Sequence, residues 1–230
     1  MSLSDAQFVQ LDIGIVLEQK NYVVFFGNKK ATLEKVQQHF PSLKFEKIRQ
    51  IHSDTIVESS ELLAEADAHY TSKENTALII VTADCLPILS FCHQTGRIAA
   101  IHAGWKGVAN HIVLKTLQKL VETGSSNKSF AFWIGPHIQQ SSFETEFEVY
   151  TQIRQSVLGV LPEIYCCVDG NKYFLDLSQV IESQITTILG QKFQIWKSSV
   201  DTKTNLNHWS FRRDKSQAGR NISFIAKIKN

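Results

Sequence analysis

Two kinds of hydrophobic spacing alternate along the chain. Short apolar runs predict β-strands at residues 22–26, 45–51, 77–81, 88–92, 97–101, 130–134, 193–196 and 223–228. Longer stretches, with apolar residues every three to four positions, predict helices at 32–40, 110–122, 146–158 and 178–189. Because strands and helices alternate throughout, the pattern indicates an α/β or α+β protein with a mixed sheet.

Local signals support several of these boundaries. Pro41 follows the first predicted helix and Gly124 follows the second, and both residue types commonly end helices. The run 77–81 is apolar at every position, which is typical of a strand buried on both faces. A turn sequence at 93–96 separates two predicted strands, which are therefore expected to form a hairpin.

No repeat, low-complexity run or linker interrupts the pattern, so residues 1–230 are expected to form a single domain. The net charge of +2 arises from mixed basic and acidic residues, which argues against a nucleic-acid partner. The longest apolar stretch is far too short to cross a bilayer, and the N-terminus lacks a signal-peptide pattern. A cytoplasmic protein without membrane partners is expected, whereas the oligomeric state stays open.

The cysteines do not resemble a disulfide framework, because none forms a CxxC pair and the chain is long. Cys92, Cys166 and Cys167 are expected to be small buried hydrophobic side chains. Cys85 differs because it follows a predicted strand closely, as His52 and His102 do. Side chains at strand ends commonly form sites in such sheets.

One cysteine and two histidines give zinc three ligands and leave a fourth position open, which is typical of a catalytic site. Copper is an alternative, since the same ligands favour Cu²⁺ by affinity. The residues alone also allow structural histidines and a core cysteine. Gly104 and Gly107 favour the site, because glycine lets the backbone approach another group closely.

Several segments of the sequence resemble one known family. They are 50–52 (QIH), 66–68 (ADA), 82–87 (TADCLP), 102–107 (HAGWKG), 134–136 (IGP), and 211–214 (FRRD) with 219–220 (GR). They resemble the bacterial laccase-domain family, also called multicopper polyphenol oxidases and now described as purine nucleoside phosphorylases. The matching segments follow the family order and extend from about Arg49 to the C-terminus.

The resemblance implies a zinc site of His52, Cys85 and His102 in an α+β fold with four layers, α/β/β/α, and mixed sheets. It implies phosphorolysis of adenosine, inosine and methylthioadenosine, with deamination of adenosine as a side activity. The partners would be a purine nucleoside and phosphate. Copper-dependent phenol oxidation and editing of peptidoglycan precursors are alternatives attributed to the same family.

Two departures from the family pattern concern the substrate more than the metal. The segment 24–30 (VFFGNKK) is short and lacks the arginine of the family's usual Ser-Thr-Arg loop. His137 and the cysteine-free segment 198–201 (SSVD) stand where many members have cysteines. The shortened loop leaves open a different kind of protein, a catalytically weak metal-binding remnant that acts as an interaction module.

Candidate catalytic residues are Cys85, His102 and Asp84. Asp84 either orients a ligand histidine or caps a turn. Lys106 either binds phosphate or is solvated, and His137 is either an acid–base group or a surface residue. Trp105 either stacks on a purine or packs in the core.

Arg212 and Arg213 are candidate phosphate ligands, because guanidinium groups match phosphate oxygens. In a strand-like segment, successive side chains point to opposite sides, so one arginine is expected to bind phosphate and the other to anchor the chain, for example to Asp214. If Phe211 lies in the core, this alternation favours Arg212 in the pocket.

Overall fold

The computed structural model describes residues 8–60, 62–124, 130–157, 166–170, 172–190 and 193–229. The strands are β1 Val9–Leu11, β2 Gly14–Gln19, β3 Tyr22–Gly27, β4 Lys44–Lys47, β5 Ile56–Glu58, β6 Ala68–Thr71, β7 Thr76–Thr82, β8 Leu86–Cys92, β9 Ile98–Ala103, β10 Phe130–Ile134, β11 Glu144–Thr145, β12 Cys166–Asp169, β13 Lys172–Leu175, β14 Phe193–Lys197 and β15 Asn221–Lys227. The helices are α1 Leu33–His39, α2 Trp105–Ala109, α3 Ile112–Glu122, α4 Phe147–Ser156, α5 Leu177–Leu189 and α6 Phe211–Asp214.

Two six-stranded sheets form the centre of the protein. The strand order is β1-β2-β3-β15-β7-β4 in the first sheet and β14-β10-β8-β9-β6-β5 in the second. Both sheets are mixed, since β4 runs parallel to β7, β14 to β10 and β5 to β6, while their other pairs are antiparallel. A third, small sheet has the order β11-β13-β12.

Three hydrophobic clusters show that the sheets and helices form four layers. One cluster lies between the two sheets and includes Val24, Leu78, Phe91 and Trp133. Another joins the outer face of the first sheet to α1, and a third joins the outer face of the second sheet to α2, α3, α4 and α5. The expectation of an α+β fold with an α/β/β/α arrangement and mixed sheets is confirmed.

Alternation along β8 and β9 determines which side chains face the space between the sheets. In β9, Ala99 and Ile101 belong to the helix-side cluster, whereas Ile98 and Ala100 belong to the inter-sheet cluster. By this two-residue period, His102 is on the inter-sheet side. Leu89 and Phe91 of β8 also belong to the inter-sheet cluster, and the two-residue period places Cys85, just before β8, on the same side. The two side chains therefore approach each other at one end of the sheets.

Most predicted elements are confirmed within one or two residues at each end. The strand predicted at 45–51 is too long, because β4 ends at Lys47 and an isolated bridge pairs Arg49 with Glu65. The strand predicted at 97–101 continues to Ala103, so His102 lies inside β9 and does not follow it. Position 158, the predicted end of α4, lies outside the described residues.

Within the described ranges, no helix is both long and apolar enough to span a membrane. Of the cysteines treated as core residues, Cys92 is buried and Cys166 is partly buried against the helix-side cluster. The side chain of Cys167 lies outside the described part of the structure.

Candidate metal centre

Three separate segments meet at one end of the two sheets. Residues 83–85 cross from the end of β7 in the first sheet to the start of β8 in the second, and Cys85 lies in this crossover. His102 comes from β9, which pairs with β8, and His52 comes from the turn after β4. The site therefore depends on contacts between distant parts of the chain.

The three ligand atoms of His52, Cys85 and His102 all lie within 4.8 Å of one another. The two imidazole rings are 4.8 Å apart between centroids and nearly perpendicular, at 85°. His52 is exposed, Cys85 is partly exposed and His102 is buried, so the cluster is open on the His52 side. One imidazole nitrogen from each histidine and the Cys85 Sγ would together hold a single ion.

The ionisation of Cys85 suits a metal ligand. Burial raises the pKa of the thiol, but hydrogen bonds with His102 and His52 outweigh it and lower the pKa to about 7. Burial lowers the pKa of His102, but bonds with Asp67 and Cys85 raise it to about 9. The cluster thus favours a thiolate, the form of cysteine that binds metals.

The Gln50 side chain fixes the turn that carries His52, because it makes two hydrogen bonds to the backbone of β7 as a neighbouring strand would. The Gln50 amide donates to the Val81 carbonyl at 2.8 Å and accepts from the Val81 N–H at 2.8 Å. This pair of bonds continues the contact of β4 with β7 beyond the end of β4. His52 then adopts a φ of 58°, a left-handed conformation that is uncommon for residues other than glycine.

Gly104 provides space for the cluster. A methyl group at this position would lie 3.1 Å from the Cys85 Sγ and 3.3 Å from the His52 Cδ2. The backbone therefore approaches two candidate ligands more closely than a side chain would comfortably allow. This close approach and the N,N,S donor set together fit a single zinc or copper ion.

Replacing Gly104 with alanine is expected to weaken metal binding without unfolding the protein, because the new methyl group would displace the Cys85 and His52 side chains by a few tenths of an ångström. Gly107→Ala is the matched control, since its methyl group would lie 3.3 Å from the Ile112 Cγ2 and would meet the carbonyl oxygens of Ser53 and His102 at 3.4 and 3.8 Å but no ligand side chain. Chelator competition measures the affinities. Equal zinc affinity in the two variants would contradict this role of Gly104.

Asp84 contacts the C-terminal segment, and its described hydrogen bonds do not reach the candidate ligand histidines. One carboxylate oxygen accepts from the Thr202 hydroxyl at 2.7 Å, and the other accepts from the Arg212 N–H at 2.6 Å. The residue has a φ of 86°, which aspartate tolerates better than most residues. Asp84 therefore links the Cys85 crossover to α6, and Asp67 is the carboxylate that contacts His102.

The prediction of a strand around the two arginines is wrong, because Phe211–Asp214 is the short helix α6. The Ser210 hydroxyl caps it by accepting from the Arg213 N–H, which favours a helical turn over an extended segment. Phe211 is 55% exposed and is not the core residue that the alternation argument assumed. The two guanidinium groups still diverge, because successive helix positions differ by about 100°.

Arg213 is held by the protein itself. Its Nε and Nη2 donate to Asp214 at 2.7 Å. Its Nη1 and Nη2 also reach the carbonyl groups of Thr202, Lys203, Asn205 and His208 at 2.7–3.4 Å. The Arg212 guanidinium donates to the Glu144 carbonyl at 2.8 Å and lies 5.6 Å from the Phe143 ring. Since a guanidinium has five donors, Arg212 retains capacity for a ligand.

The remaining candidates differ in exposure. Lys106 is exposed, with its Nζ 5.7 Å from the Trp105 ring, and Trp105 is partly buried against the helix-side core. His137 is 2% exposed, so it is not a surface histidine. Its Nδ1 donates to the Gly135 carbonyl and its Nε2 accepts from Gln139, and burial lowers its pKa.

Comparisons with known proteins place these features in a family. Residues 2–228 match the family described as multi-copper polyphenol oxidoreductase laccase. A purine nucleoside phosphorylase of Clostridium acetobutylicum is 34% identical over 183 residues, covering 78% of this chain and 75% of the relative. The Escherichia coli purine nucleoside phosphorylase YfiH is 31% identical, covering 77% of this chain and 72% of the relative.

Solved structures share the fold. The hypothetical protein YfiH of Bacillus licheniformis superimposes with a TM-score of 0.86 at 22% identity, covering 96% of this chain and 99% of that one. YlmD from Geobacillus stearothermophilus gives the same TM-score at 19% identity, with coverage of 96% and 99%.

Proposed function

This chain belongs to the family described as multi-copper polyphenol oxidoreductase laccase, and we infer that it is a zinc-dependent purine nucleoside phosphorylase. The observation that carries the proposal is the convergence of His52, Cys85 and His102 beside Gly104. Relatives at 31–34% identity are named purine nucleoside phosphorylases, which supports the substrate class. The proposed substrates are adenosine, inosine and methylthioadenosine, with phosphate as the second substrate and deamination of adenosine as a side activity.

In phosphorolysis, a phosphate oxygen forms a bond to the ribose C1′ while the bond from C1′ to the purine nitrogen breaks. The purine leaves with the bonding electrons and takes up a proton. We propose that the Arg212 guanidinium binds the phosphate, since the Glu144 carbonyl and the Phe143 ring hold it in place. Asp84, which directly precedes Cys85, accepts from the Arg212 N–H and so ties the first turn of α6 to the Cys85 segment.

His52, Cys85 and His102 would hold the zinc ion, and the exposed His52 side leaves room for a nucleoside. The chemistry that zinc supplies when bound is Lewis acidity, which lowers the pKa of a coordinated water to about 7. This property suits the deamination of adenosine. The thiolate of Cys85 is best preserved in a reducing compartment, which favours action in the cytoplasm.

Copper-dependent phenol oxidation is a second candidate, favoured by the family description and by the His₂Cys donor set. Blue-copper sites combine this set with a weak axial ligand, often methionine. The chain has a single methionine, Met1, and the described residues contain one metal-ligand cluster. True multicopper sites need many more histidines than this trio supplies. A catalytic zinc site, which has three protein ligands and an open position, therefore suits the cluster better.

Incubation of the zinc-loaded protein with adenosine and phosphate tests the proposal. Adenine and ribose 1-phosphate are expected, with a smaller amount of inosine. Omitting phosphate should stop adenine formation and leave inosine formation, because deamination consumes water instead. A zinc-loaded protein that forms neither product would favour an interaction module or the editing of peptidoglycan precursors.

A further inference from the structure

Asp67 is a buried carboxylate that contacts two of the three candidate ligands, His52 and His102, and is not itself among the three. It directly precedes β6, and the residue after it, Ala68, pairs with Ile101 of β9. Asp67 is therefore opposite His102, and the His102 N–H donates to its carbonyl at 2.7 Å. Both side chains are on the inter-sheet side, and Asp67 is fully buried.

The Asp67 carboxylate holds the His52 turn through consecutive backbone donors. The N–H groups of Ile51 and Ser53 reach one oxygen, and that of His52 reaches the other at 3.1 Å. The Ser53 hydroxyl adds a further bond at 2.7 Å. Such a concave set of N–H groups favours a negative charge. It also compensates for the left-handed backbone of His52.

The same carboxylate orients the His102 ring. The Asp67 Oδ1 lies 2.7 Å from the His102 Nδ1, and an ionised carboxylate can only accept a hydrogen bond. The proton is therefore on Nδ1, and Nε2 is the nitrogen that carries the free lone pair once the ring is neutral. Metal-binding histidines commonly donate their second N–H to a carboxylate in this way.

We propose that Asp67 is a positioning residue that sets both histidine ligands at once. This inference rests on the proposed metal site but not on the identity of the nucleoside. An amide at this position cannot replace the carboxylate, because its NH₂ group would face donors on one side or the other. In place of Oδ2, the NH₂ group would meet the backbone N–H groups of Ile51 and Ser53. In place of Oδ1, it would meet the backbone N–H of His52 and the ring N–H of His102. In Asp67→Asn, the two histidines therefore could not both keep their positions.

The experiment measures zinc affinity by competition with a chelator, at a temperature where circular dichroism shows each variant to be folded. Asp67→Asn is expected to bind zinc about 10- to 100-fold more weakly than the wild type, the range found for such supporting groups. Glu46→Gln is the matched control. Glu46 is buried in β4 of the other sheet and makes no hydrogen bond to the described residues through its carboxylate, so its change is expected to leave the zinc affinity unchanged.

Ser53→Ala is the second variant, because it removes one donor and keeps the carboxylate. Zinc affinity is expected to fall severalfold. If Asp67→Asn does not fold, this variant tests the positioning role of Asp67 in its place. Wild-type affinity in a folded Asp67→Asn, or in Ser53→Ala when the first variant is unfolded, would overturn the inference. A wild-type protein that binds no zinc would instead reject the metal site itself.

Discussion

Replacing Cys85 with alanine is expected to abolish zinc binding and all turnover of adenosine. The thiolate is the one anionic ligand among the three, and it contacts both imidazoles. Losing a supporting group alone costs about 10- to 100-fold in affinity, so losing a ligand should cost more. Elemental analysis should fall from about one zinc per chain to none. The thermal stabilisation that zinc gives the wild type should also disappear, since that effect requires binding to the folded state.

Cys92→Ala is the matched control for this experiment. Cys92 is a buried cysteine at the far end of β8, the strand that Cys85 precedes. Its removal should lower stability modestly through the cavity left behind, while zinc content and turnover per folded molecule stay normal. Full zinc occupancy in Cys85→Ala would reject the assignment of the metal centre.

Alanine substitutions of the neighbouring arginines are expected to separate binding from stability. Arg212→Ala should raise the apparent KM for phosphate about 10- to 100-fold, because a charge-assisted contact is worth about 1.5–3 kcal/mol. Its melting temperature should change little, since the side chain has one described hydrogen bond, to Glu144. Arg212→Lys should recover part of the loss, because lysine keeps the charge but not the planar fork.

Arg213→Ala should behave in the opposite way. The change removes the bonds to Asp214 and to four carbonyl groups of the segment before α6. A loss of about 2–3 kcal/mol corresponds to a melting temperature lower by roughly 5–10 °C in a domain of this size. Arg154→Ala, an exposed arginine of α4, is the control for both measurements. Normal phosphate dependence in Arg212→Ala would place the phosphate site elsewhere.

The central strands could be predicted because burial on both faces produces continuous apolar runs. Strands were predicted at residues 77–81 and 130–134 for this reason, and both segments form buried strands. The early hairpin of β1 and β2 and the small third sheet were not predicted. β1 and β13 are short and partly exposed, so they have little hydrophobic periodicity. β2 has six residues, but its apolar positions are confined to residues 15–17 and are followed by polar Glu18 and Gln19.

The proposed metal ligands could be selected from the sequence because the segments that contain them resemble a known family. Their position at strand ends was a partial guide only, since β4 ends at Lys47 and His102 lies inside β9. Asp67 was part of a matched segment but received no role, because its contacts with residues 51–53 and with His102 arise from strand pairing and not from spacing. A strand-like segment was expected in place of helix α6 for a similar reason. Its four residues are too few to show a helical period, and its first turn is fixed by the distant Asp84.

The position of β15 also determines when this protein can fold during translation. This strand lies between β3 and β7, so the first sheet stays divided until Lys227 has left the ribosome. At about 5–20 residues per second, synthesis from Thr82 to Asn221 takes on the order of ten seconds. During that interval β3 and β7 each expose an edge with unpaired backbone groups, which are prone to aggregation. Closure of the first sheet is therefore a late event in synthesis, set by the position of one strand.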